Sequence, residues 1–286
     1  MSRWHQRWEA FLIILAILFP GQPRAARAAF ERWGIGADVC GMSITGVAQA
    51  DPLFLPFINP ALGTFEGGWR FSTFYSRRYQ MQELTQAALA FSGFKWRIHW
   101  SAGAERFGYS LYREERIVGG VGIPLARKTR VGLAVRFHRL GIEGYGSAYA
   151  PGLDLAWSSV PVEGFRVGAV WWNVNRPLMG RARVRVPGGL IVGMAAELSD
   201  RLTGTVEGGR TTDGWGGLGL GFSLGITRGL GLRMGYRRET GEYSLGASLL
   251  LQIFQWDYAF SLHPALGGTH YFSVTFGNRS QDRLNR

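Results

Sequence analysis

From Trp69 onward the chain alternates, with apolar residues at every second position in segments of about ten and turn residues between the segments. Leu218, Leu220, Phe222 and Leu224 are interleaved with Gly217, Gly219, Gly221, Ser223 and Gly225. Leu230, Leu232, Met234 and Tyr236 are interleaved with Gly231, Arg233, Gly235 and Arg237. The same holds for Phe254, Trp256, Tyr258 and Phe260 against Gln255, Asp257, Ala259 and Ser261, and for Val131, Leu133, Val135 and Phe137 against Gly132, Ala134, Arg136 and His138. Successive side chains of a strand point to opposite faces, so a period of two makes each segment a strand with one greasy and one wet face. Trp96, Ile98 and Trp100 against Lys95, Arg97 and His99 read the same way.

Such strands turn the apolar face inward in a soluble sandwich and outward, toward lipid, in a membrane barrel. Two features favour the barrel. The wet face is mostly Gly, Ala and Ser with sparse charges, as a narrow lumen requires, and aromatic residues fall at strand ends, where interfacial girdles sit. No segment downstream of the N-terminus offers 18 uninterrupted apolar residues, which excludes a polytopic helical membrane protein.

Composition narrows the partners. With 42 Gly, 39 aromatic residues and only 18% charged residues in 286, the chain is too apolar for intrinsic disorder. Its net charge of +12 is carried by arginine, Lys95 and Lys128 being the only lysines. The arginines are scattered singly between Gly and apolar residues instead of forming one patch, which points away from nucleic acid. Cys40 has no internal partner for a disulfide and reads as a small buried residue.

Arg3, His5 and Arg7 precede the apolar run of residues 11–19, followed by Pro20, Gly21 and the small-residue stretch 25–29. A run of nine is too short to span a hydrocarbon core as a helix, so these residues are expected to form a secretory signal peptide cleaved after Ala28.

Marking strands by alternation alone gives fourteen, at 68–79, 84–93, 95–103, 115–124, 129–141, 149–159, 164–174, 188–198, 202–210, 215–226, 229–238, 242–251, 254–262 and 269–277. Connections after odd-numbered strands include the long ones, 104–114, 142–148, 175–187 and 263–268, and the others hold about four residues or fewer. Long loops outside, short turns in the periplasm and an even strand number are the pattern of a bacterial barrel. Pro151, Pro161, Pro177, Pro187 and Pro264 are expected in connections or at strand ends, where a missing N–H breaks no ladder.

The expected fold is therefore all-β, a transmembrane antiparallel up-and-down β-barrel of about 14 strands, set in the outer membrane of a Gram-negative-type bacterium. Residues 1–28 would form the signal peptide, 29–67 an N-terminal plug, 68–277 the barrel and 278–286 a polar C-terminal tail. The plug is argued from Leu53, Phe54, Leu55, Phe57 and Ile58, which are too apolar for water yet lie among Pro52, Pro56 and Pro60 without alternation.

The stretch 34–63, with Gly41-Met42, Asp51 and Asn59-Pro60-Ala61, resembles the N-terminal hatch region of the long-chain fatty-acid transporter superfamily of outer-membrane barrels. Residues 257–274, from Asp257-Tyr258-Ala259-Phe260 through His263-Pro264-Ala265 to Phe272-Ser273-Val274, resemble the closing strands of a branch that includes barrels associated with type IX secretion. Gly168 and Trp172-Asn173-Val174-Asn175 resemble that branch's mid-barrel motif. The resemblance implies a plugged barrel with Asn59, Pro60 and Ala61 as its plug motif. It implies one of two roles, passive passage of a small hydrophobic compound or an accessory, anchoring barrel that holds a protein partner at its rim. The connections are shorter than those the fatty-acid transporters use to build an external binding surface, which points away from fatty acid itself.

The remaining motifs are structural in their first reading. Gly221-Phe222-Ser223-Leu224-Gly225 matches a nucleophile elbow, but that elbow needs a turn from strand into helix and this one lies inside an alternating strand. His99, His138, His263 and His270 show no metal-ligand spacing. No enzyme chemistry, metal or other cofactor is expected. Arg97, Arg136, Asp154, Arg166, Arg233, Arg237 and Asp257 fall on the wet face, together with Lys95, Glu197 and Glu207, and are candidate lumen residues. Such charges pair to brace a lumen and plug, or they line a substrate path.

Overall fold

The computed structural model describes residues 29–31, 34–49, 52–62, 68–212 and 216–277. The expected leader and tail, Asp51 of the hatch motif and residues 63–67 lie outside the described residues. Fourteen of the described strands close into one antiparallel barrel. They are β1 (Gly68–Arg77), β2 (Thr85–Lys95), β3 (Ile98–Gly108), β4 (Tyr112–Ala126), β5 (Thr129–Ile142), β6 (Gly146–Val162), β7 (Phe165–Trp172), β10 (Gly189–Glu197), β11 (Leu202–Thr211), β12 (Gly216–Gly225), β13 (Leu230–Arg237), β14 (Glu242–Leu251), β15 (Phe254–His263) and β16 (Gly267–Gly277). A small hairpin, β8 (Leu178–Met179) and β9 (Val184–Arg185), interrupts the connection from β7 to β10. Closure is made by β1 against β16, with Phe74 opposite Ser273, while the other edge of β1 sets Phe74 opposite Ala88 of β2.

Closure leaves no free sheet edge, the condition for a sheet in a medium that offers no hydrogen bonds. The alternation of the sequence becomes the two faces of the wall. Leu230, Leu232 and Met234 of β13 are exposed on the outside, whereas Arg233 faces the lumen and pairs with Asp257 of β15. Outward aromatics form a row across five neighbouring strands at the short-turn end. Phe254 contacts Phe276 at 5.1 Å between ring centroids, Phe276 contacts Trp69 at 5.2 Å, Trp69 stacks on Phe91 at 6.1 Å and Phe91 meets Trp100 at 5.1 Å. This is the girdle geometry of a membrane interface. Reversing one outward residue should be costly: Met234→Arg is expected to destabilise the barrel by about 2–4 kcal/mol if the site lies near the bilayer midplane. Denaturant unfolding in lipid vesicles would measure this, and a loss under about 0.5 kcal/mol would contradict a lipid-facing Met234.

The two ends of the barrel differ as the connections suggested, with boundary corrections. One rim carries turns of two to four residues, such as 96–97, 127–128 and 252–253, and both ends of the barrel chain, Gly68 and Gly277. The other rim carries residues 78–84 and 173–188. The expected long connections 104–114 and 142–148 shrink to 109–111 and 143–145, because β4, β5 and β6 continue outward for 15, 14 and 17 residues. About 9–11 residues suffice to cross the bilayer, so the excess stands in water, where charges such as Arg113, Glu114 and Glu115 are tolerated in a strand. Pro151 is also corrected, since it lies inside β6 rather than in a connection. Its missing N–H breaks nothing. The amide of Leu153, on the same edge of β6, reaches past the end of β7 to Asn175 Oδ1 at 2.9 Å, so this edge has no ladder to lose.

Residues 34–49 and 52–62 fill the lumen and include two one-turn helices, α1 (Ala37–Cys40) and α2 (Leu55–Ile58). Phe54, Leu55, Val39, Val47 and Leu62 are fully buried. Val47 packs against Ala156, Val170 and Ile191 of the wall, and the other four belong to a cluster with Phe74, Ala88, Val118, Ala134, Ala259 and Tyr271. Five large aliphatic or aromatic groups removed from water contribute about 1.5–3 kcal/mol each, an upper bound because the unfolded chain also hides apolar surface.

Candidate functional site

The wall is cut to the shape of the plug backbone. Inward positions that meet the plug most closely are glycines, and a Cβ there would collide with main chain. On Gly168 it would lie 2.1 Å from the Val47 carbonyl oxygen, on Gly122 2.2 Å from that of Pro60, and on Gly235 2.4 Å from the Met42 carbonyl carbon. Gly132 faces the Ala61 amide nitrogen at 2.5 Å in the same way. The glycine-rich wet face in the sequence is thus partly a socket.

Polar contacts then fix the plug's register. The Glu207 carboxylate of β11 accepts the amides of Gly46 and Val47, at 2.9 and 2.8 Å through one oxygen, as a capping group would. The Ala37 amide donates to Ser273 Oγ of β16 at 2.9 Å, and Arg237 Nη2 donates to the Ser43 carbonyl. Asn59 knots the plug. Its Nδ2 donates to the Val47 carbonyl at 2.8 Å and to the Trp157 carbonyl of β6 at 3.3 Å, and its Oδ1 accepts the Ala61 amide at 2.9 Å. The last bond is the Asx turn that Asn before Pro favours. Pro60 and Ala61 are the residues pressed on Gly120, Gly122 and Gly132.

Among the described residues, buried ion pairs on the lumen side join the neighbouring strands β3 and β4 and the neighbouring strands β5 and β6, and a third reaches across β14 from β13 to β15. Arg116 grips Glu105 with two hydrogen bonds, at 2.5 and 2.8 Å. Arg136 pairs with Asp154 and also reaches the plug, donating to the Pro56 carbonyl at 3.4 Å. Arg233 donates to Asp257 at 2.9 Å, and Gln255 Nε2 fills both oxygens of the same carboxylate. Above the third pair lies Asp38 of α1, whose carboxyl is pushed up to about 6, chiefly by burial, with Asp257 adding to the rise and Arg233 opposing it.

Of the sequence candidates, Arg136, Asp154, Arg233, Arg237 and Asp257 therefore meet in the lumen around the plug. Arg166 lies on the inward side of β7 near its short-turn end and is half-buried. Arg97 is a correction: it is exposed in the turn between β2 and β3, outside the lumen. Trp96 and Arg97 both take positive φ, 53° and 65°, the geometry of a two-residue hairpin turn, so the strand starts at Ile98 and not at 95. Lys95 likewise ends β2 exposed, its ammonium 4.4 Å from the Trp96 ring centre. Glu105, Arg116 and Glu114 were missed. Glu105 and Glu114 fell in the expected connection 104–114 and Arg116 in the expected strand 115–124, yet all three keep the inward parity of His99 and Gly120, the one signal that could have placed them. Ser223 lies within β12 opposite Arg233, away from any strand-to-helix turn.

At the outer rim the wall has a seam. β7 stops at Trp172 while β6 extends upward with only β5 paired to it, and the chain crosses the gap as residues 173–188 with β8 packed against β6. Asn173 and Asn175 stitch the gap. Asn175 bonds the edge of β6 from both sides of its amide, to the Pro151 carbonyl and the Leu153 amide, each at 2.9 Å. Asn173 donates its backbone N–H to Asp154 at 2.9 Å and its Nδ2 to the Pro187 carbonyl at 2.6 Å. Beneath β8 and β9 lies a cavity of about 210 Å³ lined by Ala29, Phe30, Leu140, Ala148, Met179 and Val186, with Arg181 and Arg185 also contributing. A cavity of about 150 Å³ with apolar walls is enough to hold benzene.

No protein-family model matches the chain, and no curated protein matches it. Among solved structures the barrel is similar to the CymD monoaromatic hydrocarbon channel, with TM-score 0.64 at 14% identity over 86% of this chain and 98% of that one. It is similar to a Pseudomonas aeruginosa FadL homologue, with TM-score 0.60 at 11% identity over 86% and 99%, and to the Pseudomonas putida toluene transporter TodX, with TM-score 0.60 at 12% identity over 88% and 98%. At these identities the likeness is one of fold, a 14-stranded antiparallel barrel.

Proposed function

We propose that the protein is an outer-membrane barrel through which a small hydrophobic compound crosses passively. The observation that carries the reading is the apolar cavity at the outer rim, seated on the plug's first described residues and roofed by the β8–β9 hairpin. It fits one small ring, and the narrow, plugged lumen beneath it suits nothing larger than a solute that moves past side chains. Two of the fold neighbours, a monoaromatic hydrocarbon channel and a toluene transporter, agree with that size. The sequence contains no phosphate-binding loop, so passage runs down the gradient, with exit toward the bilayer by way of the wall. Export by the leader, with cleavage after Ala28, belongs to the same proposal and makes Ala29, a cavity residue, the first of the mature chain.

A bacterium producing the barrel is expected to take up radiolabelled toluene at low concentration several-fold faster than one without it. Filling the cavity by Ala148→Trp should return uptake to background while the barrel still shows heat-modifiable mobility. Equal uptake in all three strains would reject the proposal. A second reading, an accessory barrel of a secretion or surface-attachment system as in the type IX branch, is favoured by the lumen's paired charges, which brace rather than conduct. On that reading uptake is unaffected by the barrel and a protein partner is held at the rim.

A further inference from the structure

His138 of β5 takes no part in the bracing pairs. It is 2% exposed, and its Nε2 lies 3.1 Å from Asn173 Oδ1. The Asn173 amide nitrogen is spent on the Pro187 carbonyl, so its oxygen faces the ring and Nε2 must carry the proton. The site is shaped for this bond. A Cβ on Gly152 would lie 2.1 Å from Asn173 Oδ1 and 3.0 Å from His138 Nε2. The other ring nitrogen, Nδ1, is buried and has no hydrogen-bond partner among the described residues. Among the described residues no carboxylate contacts the ring, while Arg116 stands directly across the β4–β5 ladder, so the neutral tautomer holds and Nδ1 presents a lone pair. An acceptor buried without a partner costs free energy, and a ligand's donor would remove that cost.

Phe30 connects this acceptor to the cavity. Its ring stands edge-on to His138, with centroids 4.9 Å apart and planes at 74°, and it also lines the cavity. Its backbone amide is tied to Glu114 Oε2 at 2.9 Å, which holds the main chain, and its buried ring packs with Ala150, Met179 and Val186 between His138 and the cavity.

We infer that the outer cavity and His138 form one binding site for a neutral single-ring compound bearing a hydroxyl, a phenol, whose O–H donates to His138 Nδ1 once the Phe30 ring turns aside. The inference deepens the proposed passage of hydrophobic compounds and rests on it. The site selects a donor: a carboxylate would bring only lone pairs to a lone pair, and a plain hydrocarbon would leave Nδ1 unsatisfied.

The test is binding of phenol and of toluene to the full barrel in detergent, wild type against His138→Phe, by titration calorimetry. Phenol and toluene partition differently from water, so the quantity read is the ratio of their dissociation constants. That ratio is expected to shift about ten-fold toward toluene in His138→Phe, with His138→Gln, which keeps an acceptor, restoring part of the difference. With ¹⁵N-histidine in the wild type, the Nδ1 resonance of His138 should move on adding phenol and stay on adding toluene. This readout needs no variant and decides the matter if His138→Phe fails to fold. Binding of both compounds to the wild type with an unchanged ratio in the variant, or an unmoved Nδ1 resonance in the presence of bound phenol, overturns the phenol site and leaves the hydrophobic-passage reading standing. Binding of neither compound overturns both.

Discussion

Asp154→Ala is expected to lower the unfolding free energy of the barrel by about 3–5 kcal/mol, the range seen when one partner of a buried ion pair is removed. The carboxylate serves a neighbouring strand and the connection after β7 at once, pairing with the Arg136 guanidinium and accepting the Asn173 amide at 2.9 Å. Truncation leaves Arg136 with the weak 3.4 Å contact to the Pro56 carbonyl among its described partners, and unties the chain where it crosses the seam. The cost belongs to the stranded charge more than to the lost attraction. Asp154→Leu combined with Arg136→Met should therefore recover a large part of it, because two apolar groups of similar volume need no partners. Denaturant titrations in vesicles compare the three proteins. Equal destabilisation in the single and double variants would show that the pair is not the source.

Deletion of the plug, residues 34–62, is expected to raise ion conductance in planar bilayers roughly ten-fold or more, since barrels of 8 strands are filled by side chains and those of 16–18 enclose water, with 14 strands between. The wall residues that faced the plug are Gly, Ala, Ser and Thr at many positions, a surface that water wets. If hydrophobic passage is the function, selective uptake of toluene disappears as the leak appears. If the barrel is a scaffold, the deletion lowers stability and leaves passage of hydrophobic compounds unchanged. A second variant guards against a deletion that does not assemble: Gly168→Leu places a side chain where the Val47 carbonyl lies and should loosen the plug within an intact wall. Unchanged conductance in both variants, with folded barrels, would mean that residues 34–62 do not occlude the lumen.

The period of two was enough to read the strand number, the side each residue faces and the end at which both barrel termini lie, because lipid outside and water inside act on every second residue alike. That signal fades where the selecting medium changes. Beyond the bilayer the outward face also meets water, so the upper ends of β3 and β4, with Glu105 and Glu114, and the upper reach of β6 looked like connections. At Trp96 and Arg97 the local twist of a two-residue turn overrode an alternation that continued through it. The bracing residues were legible as inward charges, but their pairing was not: Arg136 and Asp154 are 18 positions apart, and only the hairpin register brings them to adjacent strands. Nor does any spacing in the chain announce Asn173 as the orienting partner of His138, since that contact exists because β7 ends early.

The glycine socket bears on how anything moves through this molecule. A plug gripped only by side chains could tilt or withdraw as a body, because side chains have other rotamers to adopt. Here carbonyls at Val47 and Pro60 rest in hollows whose walls are main chain, and main chain does not change shape without breaking the ladder around it. The obstruction is thus keyed into the cylinder as a casting is keyed into its mould. A solute that crosses does so around a stationary centrepiece, through whatever room the surrounding side chains concede, so the largest molecule admitted is set by the swing of single residues such as Phe30.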